Sequence, residues 1–330
     1  MKSRSGFTLI ELLMVIAIIA IVSTLAVSKV GGVRESAARK VSLANQKAIE
    51  RGIESFLVSG GRLNRLDSLL YAGDGGAPIF GSATPGDFDF NTVSTAEGRE
   101  GLYLGPSVDA DEALREERNR GLTPSLARVL CLYTLSRGQA EAFIDRLGLR
   151  YVMAQTAYAD AEPTTFPSQH YPKDRAYGDG SVPNGSDGLN PNASAIVTTA
   201  VTNGMAVAVV NPMTDLGRTI YQAFGQELLN TKNWGESYDE TEVRREVAAK
   251  GGPLFAFGLG DNASVIGNAN AGLESAPFAT FPLRKYYTRY VLLFRLKTMG
   301  SGSVTATIPE FAGVIDCEGN TLRAAQHMVE

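Results

Sequence analysis

A 21-residue apolar segment, Phe7 to Val27, constrains this chain more than any other feature of its sequence. As an α-helix that rises about 1.5 Å per residue, it spans roughly 31 Å, the thickness of one hydrocarbon core. Lys2 and Arg4 precede it, and positive charge on this side favours a cytoplasmic amino terminus. The sequence therefore predicts a single-pass membrane helix over residues 7–30, with the rest of the chain on the extracytoplasmic side.

Glu11 is the one charged side chain inside this segment. A carboxylate in an apolar span is costly and is retained where a cation lies at a similar depth. Lys2 and Arg4 lie closer to the cytoplasm, so a free α-amine on Phe7 of a neighbouring copy is the better partner. Pairing that amine with Glu11 in a medium of low dielectric would set a fixed axial stagger between parallel helices.

Two other interpretations of the segment stay open, a secretory signal peptide and a plain membrane anchor. The small residues Ser23, Thr24 and Ala26 stand where a signal peptide would be cleaved. The apolar run is longer than a typical signal core, however, and it contains Glu11. Both features favour a helix that is retained.

Ser5 to Leu13, with the sequence SGFTLIELL, resembles the processing motif of the type IV prepilin family, which includes the pseudopilins of type II secretion. The resemblance implies cleavage between Gly6 and Phe7 by a prepilin peptidase, N-methylation of the new Phe7 amine, and a role for Glu11 in assembly. It further implies other pilin or pseudopilin subunits and an inner-membrane assembly platform as partners. The expected location is the bacterial inner membrane, and after assembly a filament in the periplasm or at the cell surface.

Residues 1–6 are therefore expected to be a basic leader, and residues 31–60 an amphipathic extension of the membrane helix. Apolar side chains recur three and four positions apart along this extension. Gly31-Gly32 would be a flexible joint, and Gly60-Gly61 would end the helix. Residues 61–330 form the extracytoplasmic head. The expected fold is α+β and pilin-like, with a long membrane-spanning helix whose amphipathic half packs on an antiparallel β-sheet head.

Within the head, a helical insert is predicted at about 109–153 and a long loop at about 160–194. The signals for helix starts and a stop in the insert are Asp109 with Glu112, Thr123-Pro124, Ser136 with Gln139, and Gly148, with Leu126 to Leu135 supplying its buried face. Ala195 to Val210 predicts a hairpin turning at Asn203-Gly204. Further helices are expected over 215–229 and 238–249, and strands over 254–259, 286–298 and 303–308.

Few residues suggest a binding site. Asp174, Asp179 and Asp187 in the long loop are weak candidates for calcium ligands, although Asp-Gly and Asn-Gly pairs are ordinary turn formers. The prepilin resemblance adds some weight, because pseudopilin heads can hold calcium in a loop. Cys131 and Cys317 would form a disulfide in an oxidising compartment, or Cys131 would be a buried apolar side chain. No cofactor other than calcium is expected.

Two other patterns have simpler structural explanations. Gly258, Gly260 and Ala263 fit a loose dinucleotide-binding pattern, but a glycine-rich turn after a strand explains them without a βαβ unit. A basic and aromatic cluster, which would suit nucleic-acid strands or protect an edge strand, comprises Arg284, Lys285, Tyr286, Tyr287, Arg289 and Tyr290. The formal net charge of −4 argues against a general nucleic-acid binder.

The composition also excludes several enzyme and scaffold classes. Two cysteines cannot build a disulfide-dense scaffold or a four-thiolate zinc site, and His170 and His327 lack the context of a nucleophilic site. We therefore expect a non-enzymatic structural subunit of a type IV pilus-like or type II secretion pseudopilus filament. The alternative is a membrane-anchored extracytoplasmic binding protein or enzyme that uses a prepilin-like leader.

Overall fold

The computed structural model describes the chain over residues 40–72, 84–90, 122–156, 196–228, 239–260, 263–279, 289–299 and 306–322. The predicted leader, membrane helix and long loop lie outside these residues, as does the helix start at Asp109. Among the helices of the described ranges, none combines the length and the hydropathy that a membrane crossing requires.

The first described element is α1, helical from residue 40 to residue 58. Its buried positions are three or four apart, as an amphipathic helix requires, and comprise Gln46, Ile49, Gly52, Ile53 and Phe56. The helix ends at the predicted glycine pair. Gly60 adopts a left-handed φ of 81°, and the Gly61 N–H donates to the Phe56 carbonyl over 2.9 Å.

The strands that follow are β1 (Arg65–Ala72), β2 (Phe88–Asp89), β3 (Leu130–Thr134), β4 (Tyr151–Thr156), β5 (Ile196–Ala200), β6 (Ala206–Val210), β7 (Leu254–Gly258), β8 (Val291–Met299) and β9 (Ala306–Ile315). The helices are α2 (Pro124–Val129), α3 (Arg137–Ala142), α4 (Asp215–Ala223) and α5 (Glu240–Ala249), and α3 runs on into a π-helical turn (Phe143–Leu147). The central strands are rich in valine and phenylalanine, which pack well on a sheet buried on both faces.

All nine strands belong to one sheet that divides at β7. Along one edge β7 pairs with β8, which in turn pairs with β9. The other edge of β7 is shared by two strands, because Phe255 and Ala256 pair with β6 and Gly258 pairs with β1. The sheet continues from β6 through β3 to β2, and from β1 through β4 to β5. Every pair is antiparallel except β1 with β4, so the sheet agrees with the expected α+β class and adds one parallel pair.

A row of aromatic rings crosses the sheet and attaches the π-helical turn to it. Phe143 of that turn contacts Phe255 and Phe257 of β7 edge to face, with ring centroids 5.0 and 5.6 Å apart. From there the row extends through Tyr133 on one side and Phe294 on the other. These contacts hold α3 and the π-helical turn that follows it against β7 and the strands that pair with β7.

The predicted helical insert is only partly helical. Thr123 caps α2, Ser136 forms a capping box with Gln139, and Gly148 ends the π-helical turn with a φ of 81°, as the sequence signals indicate. Residues 130–134, however, form β3, which lies between β2 and β6 in the sheet, and all five of its side chains are buried. The prediction was wrong there because a strand buried on both faces lacks the two-residue alternation that separates strand from helix.

The predicted hairpin is also wrong in its pairing. Both strands exist, and the turn lies at Asn203-Gly204, where Gly204 has a φ of 80°. Yet β5 pairs with β4, whereas β6 pairs with β3 and β7. The turn packs instead on the end of β3, where the Gly204 N–H donates to the Leu135 carbonyl over 2.8 Å and the Leu135 N–H donates to Met205 over 2.9 Å.

The remaining elements follow their predictions with shifted ends. Helix α4 stops at Ala223, and α5 is capped by Asp239 and closed by Gly251 and Gly252, both with positive φ. Strands β8 and β9 pair antiparallel as expected, but β9 runs on to Ile315 past an irregularity in its pairing with β8. This irregularity lies beside α1.

Candidate functional site: the amino-terminal helix and its attachment to the head

The residues with the strongest sequence signal, Gly6, Phe7 and Glu11, lie outside the described residues, and so do the calcium candidates Asp174, Asp179 and Asp187. The described part of the predicted functional helix is α1. Its contacts with the head determine how a membrane helix preceding it would be attached.

One set of contacts is apolar, and we call it the apolar seat: Ile49, Gly52, Ile53 and Phe56. The three large side chains belong to the core of the head. Gly52 lies against the loop at residues 263–279, because a Cβ at this position would stand 2.6 Å from the Ala271 carbonyl oxygen. The close approach of helix and loop therefore depends on a residue without a side chain.

The other set is polar, and we call it the polar seam: Ser42, Gln46 and Glu50 of α1 with Tyr290, Asn320 and Val314 of the head. Tyr290 is fully buried, and its hydroxyl donates to the Ser42 carbonyl over 3.1 Å and also bonds the Asn45 side chain. Burial raises the pKa of Tyr290 to about 12, so the hydroxyl stays protonated and able to donate at neutral pH.

Gln46 joins the seam to the turn that follows β9. Its Nε2 donates to the Asn320 carbonyl over 3.0 Å, whereas its Oε1 is buried and accepts no hydrogen bond from the described residues. Asp316 shapes that turn, since its Oδ1 accepts the Glu318 and Asn320 N–H groups over 2.9 and 2.8 Å. Burial raises the pKa of Asp316, and these hydrogen bonds oppose the rise.

Glu50 completes the seam at β9. Its carboxylate accepts a hydrogen bond from the Val314 N–H and lies beside Gly313, at the irregular point of the β8–β9 ladder. Burial raises the pKa of Glu50, neighbouring Glu54 adds to the rise, and the Val314 hydrogen bond opposes it. A side chain of α1 thus satisfies a backbone donor of β9, whose described partner strand is β8.

One exposed flank of α1, beside the face that contacts the head, carries small apolar side chains. Val41 is 59 % exposed, and Ala44 and Ala48 are exposed on the same side. Small side chains allow a second helix to approach closely. This flank is therefore available for helix packing, whereas the neighbouring face is committed to the head.

Cys131 and Cys317 are both free and buried, so they form no disulfide with each other. Burial raises the pKa of both thiols, which makes them unreactive. The Thr123 hydroxyl donates to the Cys317 carbonyl, which ties the turn after β9 to the start of α2. Both cysteines thus behave as small core residues.

The basic and aromatic cluster is not an exposed surface where it is described. Arg289 and Tyr290 are buried, Arg289 donates to the Ala276 carbonyl, and its guanidinium lies 4.1 Å from the ring centre of Phe278. The other four members lie outside the described residues. Gly258 ends β7 and pairs with Asp67 of β1, and residues 261–262 of the expected glycine-rich turn lie outside the described residues.

Within the described part of the chain, no three side chains of His, Cys, Asp or Glu converge as metal ligands would. Sequence reasoning missed the polar seam, whose residues are far apart along the chain. One signal was present, because Gln46 is a polar residue at a position of the buried stripe.

Comparison with known proteins adds one match. Residues 1–27 match the family described as the prokaryotic N-terminal methylation motif, the cleavage and methylation motif of prepilins. No curated protein and no solved structure matches the chain. The match covers the apolar segment and Glu11, and it identifies the start of the chain as a prepilin-type cleavage and methylation motif.

Proposed function

Because the chain begins with a prepilin-type cleavage and methylation motif, we propose that it is a non-enzymatic structural subunit of a type IV pilus-like or type II secretion pseudopilus filament. Prepilin peptidase removes residues 1–6, the Phe7 amine is methylated, and the helix anchors the subunit in the inner membrane before assembly. Glu11 of one subunit then pairs with the Phe7 amine of the next. The single observation that carries this proposal is the motif at residues 1–27.

The geometry of α1 supports the proposal. One face holds the head through the apolar seat and the polar seam, and an exposed flank presents Val41, Ala44 and Ala48. A filament with the amino-terminal helices at its centre needs both faces, one for the subunit's own head and one for neighbouring helices.

The proposal is tested by Glu11→Gln, which removes the charge and keeps the size of the side chain. We expect the variant to be processed and to stay in the membrane but to be missing from sheared filaments, because the carboxylate no longer pairs with the Phe7 amine. Glu227→Gln, an exposed residue after α4, is the matched control and should assemble normally. Mass spectrometry of the amino terminus should find N-methylated Phe7.

Normal incorporation of Glu11→Gln into filaments would refute the assembly mechanism. A mature protein that retains residues 1–6 would refute the processing step. A processed wild-type chain that stays monomeric in the membrane would favour the alternative, an anchored binding protein or enzyme.

A further inference from the structure

The contacts that hold α1 to the head change in kind along the helix. The polar seam runs through Ser42, Gln46 and Glu50, which are one helical turn apart. The apolar seat begins at Ile49 and ends at Phe56. The amino-terminal half of α1, which is nearer the predicted membrane helix, is thus held mainly by hydrogen bonds. Its carboxyl-terminal half is held mainly by apolar packing.

The two kinds of contact resist separation differently. When the seam opens, each hydrogen bond is exchanged for one with water, so the net loss is small. Opening the seat would expose Ile53 and Phe56 to water, which offers apolar side chains no favourable interaction in place of their packing. Separation should therefore begin at the seam and stop at the seat.

Gln46 makes the closed seam less favourable than its other contacts suggest. Its Oε1 is buried and accepts no hydrogen bond from the described residues, although the same atom would be hydrated if the helix moved away. Tyr290 acts in the opposite direction, because its hydroxyl bonds Ser42 and Asn45, which are three positions apart on the helix.

We propose that α1 separates from the head at the seam contacts of Ser42 and Gln46 and bends near Ile49, while the apolar seat and the Glu50 contact with Val314 stay closed. The described helix then consists of two mechanical units, residues 40–48 and residues 49–58. The first moves with the chain that precedes it, and the second moves with the head. Such a joint lets the head tilt relative to the predicted membrane helix, and it does not depend on filament assembly.

Distances between pairs of spin labels on the processed full chain, in phosphatidylethanolamine–phosphatidylglycerol nanodiscs, test the joint. One pair joins Ala44→Cys to Arg146→Cys, and the other joins Ser55→Cys to Arg146→Cys, all at exposed positions. Because Cys131 and Cys317 are buried, the parent protein should take up no label. We expect the distance distribution from residue 44 to be about twofold broader than the one from residue 55.

Two variants test whether the width of the distance distribution from residue 44 depends on the polar seam. Gln46→Leu removes the unsatisfied oxygen together with the hydrogen bond to the Asn320 carbonyl, which still accepts from the Asp316 N–H. Because the unsatisfied acceptor costs more than that one hydrogen bond contributes, the variant should narrow the distribution from residue 44. Lys47→Leu, which adds a similar apolar group one position away, should not. Tyr290→Phe keeps the aromatic ring, loses the hydrogen bonds to α1 and should broaden the same distribution. Equal widths from residues 44 and 55 would overturn the proposal, and so would a width that neither Gln46→Leu nor Tyr290→Phe changes.

Discussion

The two ends of α1 are attached to the same head by different physical means. At the apolar seat, Ile49, Ile53 and Phe56 are buried in the core, and burying each such side chain contributes about 1.5–3 kcal/mol. At the polar seam, each hydrogen bond contributes about 0.5–1.5 kcal/mol net, and a buried acceptor without a partner costs about 1–3 kcal/mol. The seat therefore supplies most of the stability, and the seam mainly orients the helix.

The largest effect is expected from Ile53→Ala in the seat. Removing a fully buried isoleucine side chain leaves a cavity and should lower the free energy of unfolding by about 2–5 kcal/mol. Val58→Ala is the matched control, because Val58 belongs to the same helix and is 88 % exposed, so its loss should cost less than about 0.5 kcal/mol. Urea unfolding of the detergent-solubilised chain, followed by circular dichroism, measures both. Equal losses for the two variants would contradict the assignment of the seat.

Gly52→Ala should cause the next largest loss in the free energy of unfolding. Alanine favours a helix over glycine by about 1 kcal/mol, but its Cβ would stand 2.6 Å from the Ala271 carbonyl oxygen, a backbone atom. We expect the clash to prevail and to lower the free energy of unfolding by about 1–3 kcal/mol in the same urea experiment.

Gly138→Ala, in α3, separates the clash from helix propensity. A Cβ at Gly138 meets nothing within 4 Å, so this variant should be neutral or slightly more stable. If Gly52→Ala were also stabilising, α1 would not approach the loop as closely as described.

In the polar seam, Tyr290→Phe should cost about 0.5–1.5 kcal/mol, because the hydroxyl loses its hydrogen bonds to α1 while the ring stays packed. Tyr151→Phe, at a partly exposed tyrosine of β4, should leave stability unchanged. A loss for Tyr290→Phe as large as that for Ile53→Ala would remove the distinction between seat and seam.

The same contrast explains how much of the fold could be predicted from the sequence. The buried face that forms the seat has a local signature, because the spacing from Ile49 to Phe56 and the glycine pair after the helix indicate it directly. The seam is not local, since Gln46 and Asn320 are 274 positions apart and Ser42 and Tyr290 are 248 apart. No pattern within a short window reports such pairs.

Strand pairing failed for a related reason. The Asn203-Gly204 signal correctly located a turn, but a turn does not determine which strands pair, and β5 lies beside β4 rather than β6. The apolar run of β3 has no alternation because both of its faces are buried. The leader motif could be recognised from the sequence because its residues lie in one short stretch, Ser5 to Leu13.

The smallest expected effect is on the pH dependence of stability. In this respect Glu50 of the polar seam should differ from Glu310, which belongs to a surface ion pair. Burial raises the pKa of Glu50, so between its ordinary and its raised pKa the folded state binds more protons than the unfolded state. Stability then decreases as the pH rises through that window and is regained on acidification. Glu310 is the opposite case, because its ion pairs with Arg295 and Lys297 outweigh burial and lower its pKa, so its contribution is lost on acidification.

Glu50→Gln and Glu310→Gln should therefore change the pH dependence of stability in opposite directions. Without Glu50, the free energy of unfolding should fall more steeply on acidification from about pH 7 to pH 4, since a group that stabilises in acid is missing. Without Glu310, the fall should be shallower, because a favourable charge is no longer neutralised. Urea unfolding at a series of pH values measures both slopes. If both variants changed the slope in the same direction, Glu50 would not be the half-buried acceptor that the polar seam requires.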